Sequence, residues 1–259
     1  MSLTLSPDMS SFLSHLHTDL RRARLTRRGA THDVKDVPMG VHKEYTRMER
    51  FLLPEPLALT CTLQQALEKR RSTTTSETGV PLTLQDLSTI FGGLRIHEDT
   101  MRRQYPSGGA LYPIETYLIS TQLEGAAPGV FHYHPTAHAL ERLWALPSGF
   151  YLKDIISKQD TLNPSALIVF TSVWNRSSAK YGDLSYLHAL LEAGHMSENV
   201  LLLSTALDLE TRPYAGFDDQ RITELLDIDL ELEEPVHTIT LSKLLNRTTP
   251  LVRQEMGET

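Results

Sequence analysis

The chain has 259 residues, 40% of them hydrophobic, and a formal net charge of −7 at pH 7. A chain of this size can bury a full core in one domain or in one domain with an extension. The negative charge disfavours nucleic acid as the main partner, because phosphate binding requires a concentrated basic surface. The single cysteine, Cys61, excludes an internal disulfide and a cysteine-based zinc site, which is typical of a reducing compartment.

The sequence contains no apolar run that approaches the roughly 18 residues of a membrane-spanning helix. Its first residues, MSLTLSPDMSSFL, lack the charged and then apolar order of a signal peptide. We therefore expect a cytoplasmic protein with no membrane segment.

Residues 1–55 are predicted to form an N-terminal arm, ahead of a domain that covers residues 56–259. The arm contains a basic stretch, SSFLSHLHTDLRRARLTRR, which predicts a helix, and it ends in the proline-rich FLLPEPLAL. A basic helix suits a membrane surface or RNA, but a solvated helix that packs on a partner subunit is the favoured interpretation.

The domain begins with two predicted helices, at TLQQALEKRRS and at LTLQDLSTIFGG. The second should begin at Thr83, three residues before Asp86, and stop at the two glycines 92 and 93. Strands are predicted at ETYLIS, GVFHYH and SALIVFTSVW. A long helix within SYLHALLEAGHMSENVLLLSTALDL is apolar on several sides, so it should lie in the core. A last strand, VHTITLSKLL, should close the sheet. This mixed order predicts an α+β fold.

The stretch RRQYPSGGALYPIETYLI, residues 102–119, places small residues and arginines in front of a strand. Glycines let a backbone approach a flat or charged group, and backbone N–H groups near arginines can hold an anion. The patterns GxxxxGK[ST] and strand-GxGxxG are absent, so neither a P-loop nor a Rossmann site is supported. On spacing alone, a structural turn is the favoured interpretation.

Two further segments accompany this loop. EKRRST supplies two arginines and a hydroxyl, which suit a phosphate because arginine forms two parallel hydrogen bonds. RPYAGFDD, residues 212–219, is a second loop of small residues that follows the long helix.

In this order, the three segments resemble the nitroreductase superfamily, and YPSGGALYPIE closely resembles its SagB-type branch. That branch contains the flavin-dependent azoline dehydrogenases of thiazole/oxazole-modified peptide pathways. The resemblance covers about residues 50–250. It implies an α+β, nitroreductase-like fold, in which a central and mainly antiparallel sheet is flanked by helices. It also implies that FMN binds at the interface of a homodimer whose extended arms embrace the partner.

The resemblance implies cofactor-binding residues at four places in the chain: Arg70, Arg71, Ser72, Ser107, Gly108, Gly109, Asn199, Ala215 and Gly216. Residues 70–72 would hold the phosphate and ribityl side of FMN, and residues 107–109 would run along the flavin. Residues 215–216 would bring backbone against the isoalloxazine ring. Which arginine contacts the phosphate stays open among Arg70, Arg71, Arg102 and Arg103.

The pair Lys180 and Tyr181, in NRSSAKYGDLSY, is the candidate catalytic pair. Taken alone, a Lys-Tyr dipeptide in a loop is best interpreted as ordinary surface sequence. The SagB-type branch, however, has its catalytic Lys-Tyr pair at this place. Removing a carbon-bound hydrogen as a proton requires a base, and a cation beside a phenol stabilises the phenolate. The resemblance therefore makes Tyr181 the base and Lys180 its activator.

The histidines of HYHPTAH, which are His132, His134 and His138, have a spacing that permits a zinc site. The resemblance favours a hairpin here, and we expect no metal. His188 and His195, seven residues apart on the long helix, are interpreted as partners of buried polar groups.

We therefore expect an FMN-dependent oxidoreductase that converts peptide thiazolines or oxazolines to thiazoles or oxazoles, with oxygen reoxidising the flavin. The expected partners are a second copy of the chain, an azoline-bearing precursor peptide and a cyclodehydratase complex, with no nucleic acid and no membrane. One alternative is an NAD(P)H-dependent nitroreductase or quinone reductase, which needs no catalytic base. The other is a flavin-binding, non-catalytic subunit of a modification complex.

Overall fold

A seven-stranded antiparallel sheet forms the centre of the protein, in the order β1-β6-β5-β4-β7-β9-β8. The computed structural model describes residues 15–16, 18–19, 41–73, 80–97, 99–156 and 164–243. The strands are β1 Glu49–Leu52, β2 Ile96–His97, β3 Arg102–Arg103, β4 Ile114–Ser120, β5 Gly129–His134, β6 Ala139–Ala145, β7 Ala166–Val173, β8 Glu210–Tyr214 and β9 Glu233–Ser242. Strands β2 and β3 form a separate two-stranded ribbon.

From residue 41 onward, the described part of the chain contains the α-helices α1 Leu63–Lys69, α2 Leu84–Gly92, α3 Asn175–Tyr181, α4 Leu184–Ala206 and α5 Asp219–Leu226. Helix α2 begins as predicted, because the Thr83 hydroxyl accepts from the Asp86 N–H and the Asp86 carboxylate accepts from the Thr83 N–H. This reciprocal pair satisfies two N–H groups at the helix start. None of the helices in the described ranges is long and apolar enough to cross a bilayer.

The predicted α+β fold is confirmed, since helices cover both faces of the sheet. On one face, apolar residues of β4, β5 and β7 pack with α2 and α4; this cluster includes Ile90, Phe91, Leu118, Phe131, Phe170, Ala193 and Met196. On the other face, the alternate residues of the same strands pack with α5; this cluster includes Tyr117, Ile119, Val130, Val169, Ile222 and Leu226. The period of two along each strand produces this division.

Two predictions about the sheet are wrong. Strand β9 does not close the sheet, because it lies between β7 and β8. The edge strand on this side of the sheet is β8. The second wrong prediction concerns this strand, because its RPY sequence was expected to be part of a loop. Pro213 fits there because a proline cannot donate to a neighbouring strand and is tolerated at an edge.

The prediction that the long helix, α4, lies in the core is confirmed only in part. Ala189, Ala193 and Met196 are buried against the sheet. Leu190 and Leu191 are 37% and 53% exposed. The helix has apolar side chains on more than one side, and the sheet covers only one of them.

Part of the predicted arm lies against the sheet. Strand β1 pairs with β6, and the backbone N–H groups of Lys43 and Tyr45 donate to Glu115 and Glu141. His132 lies between these two carboxylates, 2.8 Å from Glu115 and 3.1 Å from Glu141. The basic helix predicted further upstream lies almost wholly outside the described residues.

The charges in this buried cluster stabilise one another. Burial alone would raise the pKa of Glu141, but hydrogen bonds from His132 and Arg50 lower it to about 2. Burial likewise acts to lower the pKa of His132, and its hydrogen bonds to the two carboxylates outweigh that effect and raise it. The cluster therefore fixes the segment around residues 43–45 on the sheet by charge-assisted hydrogen bonds.

Candidate functional site

The loop between β3 and β4 has an unusual backbone. Gly109, Ala110 and Tyr112 all have positive φ angles, of 66°, 56° and 48°. Such angles are costly for residues other than glycine, and they persist where surrounding contacts hold them. One such contact is the 2.9 Å hydrogen bond from the Tyr112 N–H to the Ser107 hydroxyl, which closes the loop.

Gly109 lies directly against the predicted catalytic pair. A Cβ atom added to Gly109 would be 2.5 Å from the Tyr181 hydroxyl oxygen and 2.8 Å from Lys180 Nζ. Only glycine fits this position without displacing one of these atoms. The structure therefore brings the loop that was predicted to contact the flavin next to the predicted base and its activator.

Lys180 and Tyr181 are the last two residues of helix α3, which follows β7 almost directly. The interpretation of this stretch as a loop is therefore wrong. Gly182, with a φ of 51°, ends the helix. Lys180 Nζ lies 5.5 Å from the centre of the Tyr181 ring. The Lys180 ammonium therefore lies over the Tyr181 ring, in the geometry of a cation–π contact.

His188 is a neighbour of the pair that sequence analysis did not include in the site. Its ring lies edge-on to the Tyr181 ring, with centroids 4.5 Å apart. A Cβ on Gly108 would be 3.0 Å from His188 Nδ1. The sequence contained one indication that His188 lies near Tyr181. Helix α4 begins three residues after Tyr181, and His188 lies in its second turn.

Residues 70–72 lie beside the edge strand β8. Arg70 ends helix α1, and the Thr73 N–H donates to the Thr211 carbonyl at 3.0 Å. From there β8 leads to the exposed residues Ala215 and Gly216. Strand β8 therefore lies beside residues 70–72 at one end and leads into residues 215–216 at the other.

These segments fit FMN in their chemistry. Arg70 is half-buried, and Arg71 and Ser72 are exposed, so they offer guanidinium and hydroxyl donors that suit a phosphate. Ala215 and Gly216 expose backbone with small side chains, which suits a flat ring. Their roles in binding FMN stay predictions.

Arg103 is buried and forms hydrogen bonds within the protein, whereas Arg102 is exposed. Its guanidinium donates to the Tyr105 hydroxyl at 2.7 Å and to the Val41 carbonyl at 3.2 Å, and it lies 4.7 Å from the centre of the Tyr112 ring. The burial of Arg103 favours Arg70, Arg71 and Arg102, which are exposed or half-buried, as phosphate ligands.

Asn199 joins two parts of the backbone. Its Nδ2 donates to the carbonyls of Gly93 and Gln104, at 3.1 and 3.2 Å. The end of α2 is thereby tied to the segment that leads into the loop at 107–109. A direct role in cofactor binding stays a prediction.

The three histidines of the β5–β6 hairpin serve different hydrogen-bond networks. His132 bonds to carboxylates, and His138 bonds to Tyr133 and Ser88. His134 Nε2 lies near His42 and Glu44, and these three residues have ligand atoms within 4.8 Å of one another. However, the Ala137 N–H donates to His134 Nδ1, so the uncharged ring carries its proton on Nε2. A protonated nitrogen cannot ligate a metal, and the arrangement favours a hydrogen-bonded cluster.

The fold and the site together define the class of protein. The model of the nitroreductase family matches residues 67–243. The chain therefore belongs to the nitroreductase family.

Individual relatives narrow the comparison. MJ1384 of Methanocaldococcus jannaschii, which is named as a nitroreductase, is 33% identical over 169 residues, or 64% of this chain and 84% of that protein. The microcin B17-processing protein McbC of Escherichia coli is 29% identical over 143 residues, or 53% of each chain. This chain thus spans about half the length of McbC in that comparison.

A solved structure extends the likeness in fold. A chain of the E. coli microcin synthetase McbBCD complex, with truncated pro-MccB17 bound, superposes with a TM-score of 0.59 and 20% identity. The superposition covers 93% of this chain and 95% of that chain. The predicted nitroreductase-like fold is confirmed, and the chain is related to the microcin B17-processing protein McbC.

Proposed function

We propose that the protein is an FMN-dependent azoline dehydrogenase that oxidises thiazolines or oxazolines in a precursor peptide to thiazoles or oxazoles. The observation that carries this proposal is that Gly109 lies so close to Tyr181 and Lys180 that an added Cβ would collide with both side chains. A nitroreductase that takes electrons from NAD(P)H needs no base beside the flavin loop. The similarity to McbC supports a peptide substrate.

The reaction removes two hydrogens from neighbouring ring atoms and creates a double bond that makes the ring aromatic. Bound FMN would accept one hydrogen with its electron pair as hydride, and oxygen would then reoxidise the cofactor. Tyr181, as phenolate, takes the other hydrogen as a proton. Lys180 stabilises that phenolate through its positive charge, and Gly109 leaves room for the hydroxyl to face the substrate.

The chain's own residues would hold the cofactor in three ways. Arg70, Arg71 and Ser72 would bind the phosphate, since a phosphate carries two charges and an arginine offers two parallel donors. Residues 107–109 would lie along the flavin, and residues 215–216 would place backbone against its ring. FMN binding by this chain rests on its family membership and on the chemistry of these exposed donors.

A homodimer is part of the proposal. Three apolar side chains of α4 are exposed, Tyr186 at 47%, Leu190 at 37% and Leu191 at 53%, and on α1 Leu63 and Leu67 are also exposed. Helices α1 and α4 are in contact, so these side chains belong to neighbouring elements. Exposed apolar side chains on two neighbouring helices suit an interaction surface. A second copy of the chain would cover these side chains and complete the FMN site. We place this dimer in the cytoplasm.

The choice of reductant tests this function against a nitroreductase. The flavin-loaded protein is mixed anaerobically with an azoline-containing peptide or with NAD(P)H, and the loss of the yellow flavin absorption is followed. We expect rapid bleaching by the peptide and slow bleaching by NAD(P)H. Rapid, saturable bleaching by NAD(P)H with no reaction of the peptide would support the nitroreductase alternative.

The same assay tests the non-catalytic alternative. If the protein is yellow but the peptide is oxidised only after a cyclodehydratase is added, this chain would need a complex for activity. Flavin without turnover under both conditions would favour a purely flavin-binding subunit.

A further inference from the structure

Helix α4 buries a carboxyl group beneath the loop that carries Ser107, Gly108 and Gly109. Glu192 is only 1% exposed, and among the described residues neither of its oxygens makes a hydrogen bond of ordinary geometry. A buried ionised carboxylate without good partners costs free energy, so a chain selected for stability alone would place an apolar residue here. The position of Glu192 therefore calls for a functional explanation.

Several groups from different elements face this carboxyl. The Ser107 hydroxyl and the Ile114 N–H approach it without completing ordinary hydrogen bonds, and the guanidinium groups of Arg103 and Arg176 add positive charge. Burial raises the pKa of Glu192, and these groups act in the opposite direction, which leaves it at about 7. The carboxyl group is thus near the midpoint of its ionisation at neutral pH.

The two arginines are also held by other partners. Arg176 forms an ion pair with Glu115 at 2.5 Å, and Arg103 donates to Tyr105. His188 lies one turn before Glu192 on α4, so both side chains point toward the same side of the helix. The positive charges around Glu192 are consequently shared with Glu115, and they do not fully stabilise its ionised form.

Ser107 connects Glu192 to the proposed catalytic pair. Its oxygen accepts from the Tyr112 N–H at 2.9 Å, so its own proton is free to point toward Glu192. Two residues further on, Gly109 lies so close to Tyr181 and Lys180 that an added Cβ would collide with both. Ionisation of Glu192 would favour a hydrogen bond from the nearby Ser107 hydroxyl, because hydrogen bonds to ionised acceptors are roughly twice as strong as neutral ones.

We infer that Glu192 is a positioning residue: in its ionised form it holds Ser107, and through Ser107 it holds the glycine loop against Tyr181 and Lys180. This inference rests on the proposed function, because it concerns the same catalytic pair. Ionisation tightens the loop above neutral pH, and protonation loosens it below. Turnover should therefore fall as pH decreases through 7, with less effect on substrate affinity.

The experiment compares the flavin-loaded parent with Glu192→Gln, which keeps the shape of the side chain but cannot ionise. Glu198→Gln is the matched control, since Glu198 lies on the same helix but is exposed. We expect the kcat of the parent and of the control for azoline oxidation to fall about tenfold from pH 8 to pH 6. Glu192→Gln should show little pH dependence in this range, with KM within about twofold of the parent.

Two further measurements do not depend on turnover. Infrared difference spectroscopy should detect the C=O stretch of a protonated carboxylic acid that titrates near neutral pH in the parent and is missing in Glu192→Gln. FMN affinity, followed by flavin fluorescence, should weaken at low pH in the parent but not in the variant. An identical infrared titration or an identical pH profile in parent and variant would overturn the inference. A parent that titrates as expected but does not oxidise azolines would instead refute the proposed function.

Discussion

Gly109 shows how a single residue without a side chain sets the geometry of the site. The resemblance explained the glycines by the approach of backbone to a flavin ring. The structure adds a second reason, because a Cβ on Gly109 would be 2.5 Å from the Tyr181 hydroxyl oxygen and 2.8 Å from Lys180 Nζ. Its φ of 66° also favours glycine.

Replacement of Gly109 by alanine should therefore displace the catalytic pair. Gly125→Ala is the matched control, because Gly125 also has a positive φ, of 74°, but has nothing within 4 Å of an added Cβ. Both variants should lose about 1 kcal/mol of stability from the backbone conformation. Only Gly109→Ala should lose turnover as well, by about 10- to 100-fold. Equal turnover in the two variants would show that Gly109 does not position the pair.

Glu192 should make stability depend on pH. Its folded-state pKa of about 7 lies above its ordinary value of 4.5, so the folded protein keeps a proton that the unfolded chain releases between these pH values. This contribution to stability is present below pH 4.5 and is lost as pH rises through 7. The Glu192→Gln variant should therefore gain about 2 to 3 kcal/mol in free energy of unfolding relative to the parent between pH 5 and pH 8.

Urea denaturation at pH 5 and pH 8 measures this difference, and Glu198→Gln should show none. A parent and a Glu192→Gln variant that lose stability equally with pH would mean that Glu192 is ionised throughout the range.

Some of these residues could be predicted from sequence and others could not. Thr83 and Asp86 have the spacing of a capping box, and Lys180 and Tyr181 match a known pair. Glu192 left only a weak signal, a charged residue between Leu191 and Ala193 in an apolar helix. Its burial depends on which side of α4 faces the loop at 107–109, and a helix that is apolar on several sides does not reveal this.

At the scale of elements, α4 connects the core to the site. It contacts α1, α2, α3, the loop at 108–110 and strands of the sheet. Asn199 contributes to this organisation, since it bonds to Gly93 at the end of α2 and to Gln104 ahead of the glycine loop. The helix thereby links the positions of elements that are distant in sequence.

Asn199→Ala should loosen this connection. The loss of two hydrogen bonds, a partly buried one to Gly93 and an exposed one to Gln104, should cost about 1 to 2 kcal/mol. Gln64→Ala is a suitable control, because the Gln64 amide bonds only to the exposed side chain of Glu68 among the described residues. We expect a lower melting temperature for Asn199→Ala than for the control. A normal melting temperature with a loss of FMN would instead support direct contact of Asn199 with the cofactor.

The elements that sequence analysis missed share a physical cause. Helix α3 has seven residues, and its N-cap residue, Trp174, makes no side-chain capping bond, so the helix lacks the usual start signal. Strand β8 contains a proline, and β6 carries charged residues at positions 141 and 142, which are satisfied by Arg50 and Glu49 of neighbouring β1. Long-range pairing stabilises these elements, and a local pattern cannot show it.

At the scale of the whole molecule, the exposed apolar side chains of α1 and α4 should determine assembly. Leu191→Glu places a charge among them and should weaken self-association by about 10- to 100-fold, because a buried leucine contributes roughly 1.5 to 3 kcal/mol. Leu232→Glu is the control, since Leu232 is equally exposed, at 52%, but precedes β9.

Light scattering and flavin absorbance test this prediction together. We expect Leu191→Glu to shift toward monomer and to lose FMN, whereas Leu232→Glu stays dimeric and yellow. If Leu191→Glu remains a yellow dimer, the interface must lie elsewhere on the molecule.

The most direct test of the central claim is the oxidation of an azoline-containing peptide by the Tyr181→Phe variant. Phenylalanine keeps the ring and its packing against His188 but removes the ionisable hydroxyl. The experiment measures FMN content and follows, by mass spectrometry, the loss of two hydrogen atoms from the peptide. We expect normal FMN content and turnover reduced by about 10²- to 10⁴-fold relative to the parent. Oxidation at the parent rate would contradict the account, because it would show that Tyr181 is not the base.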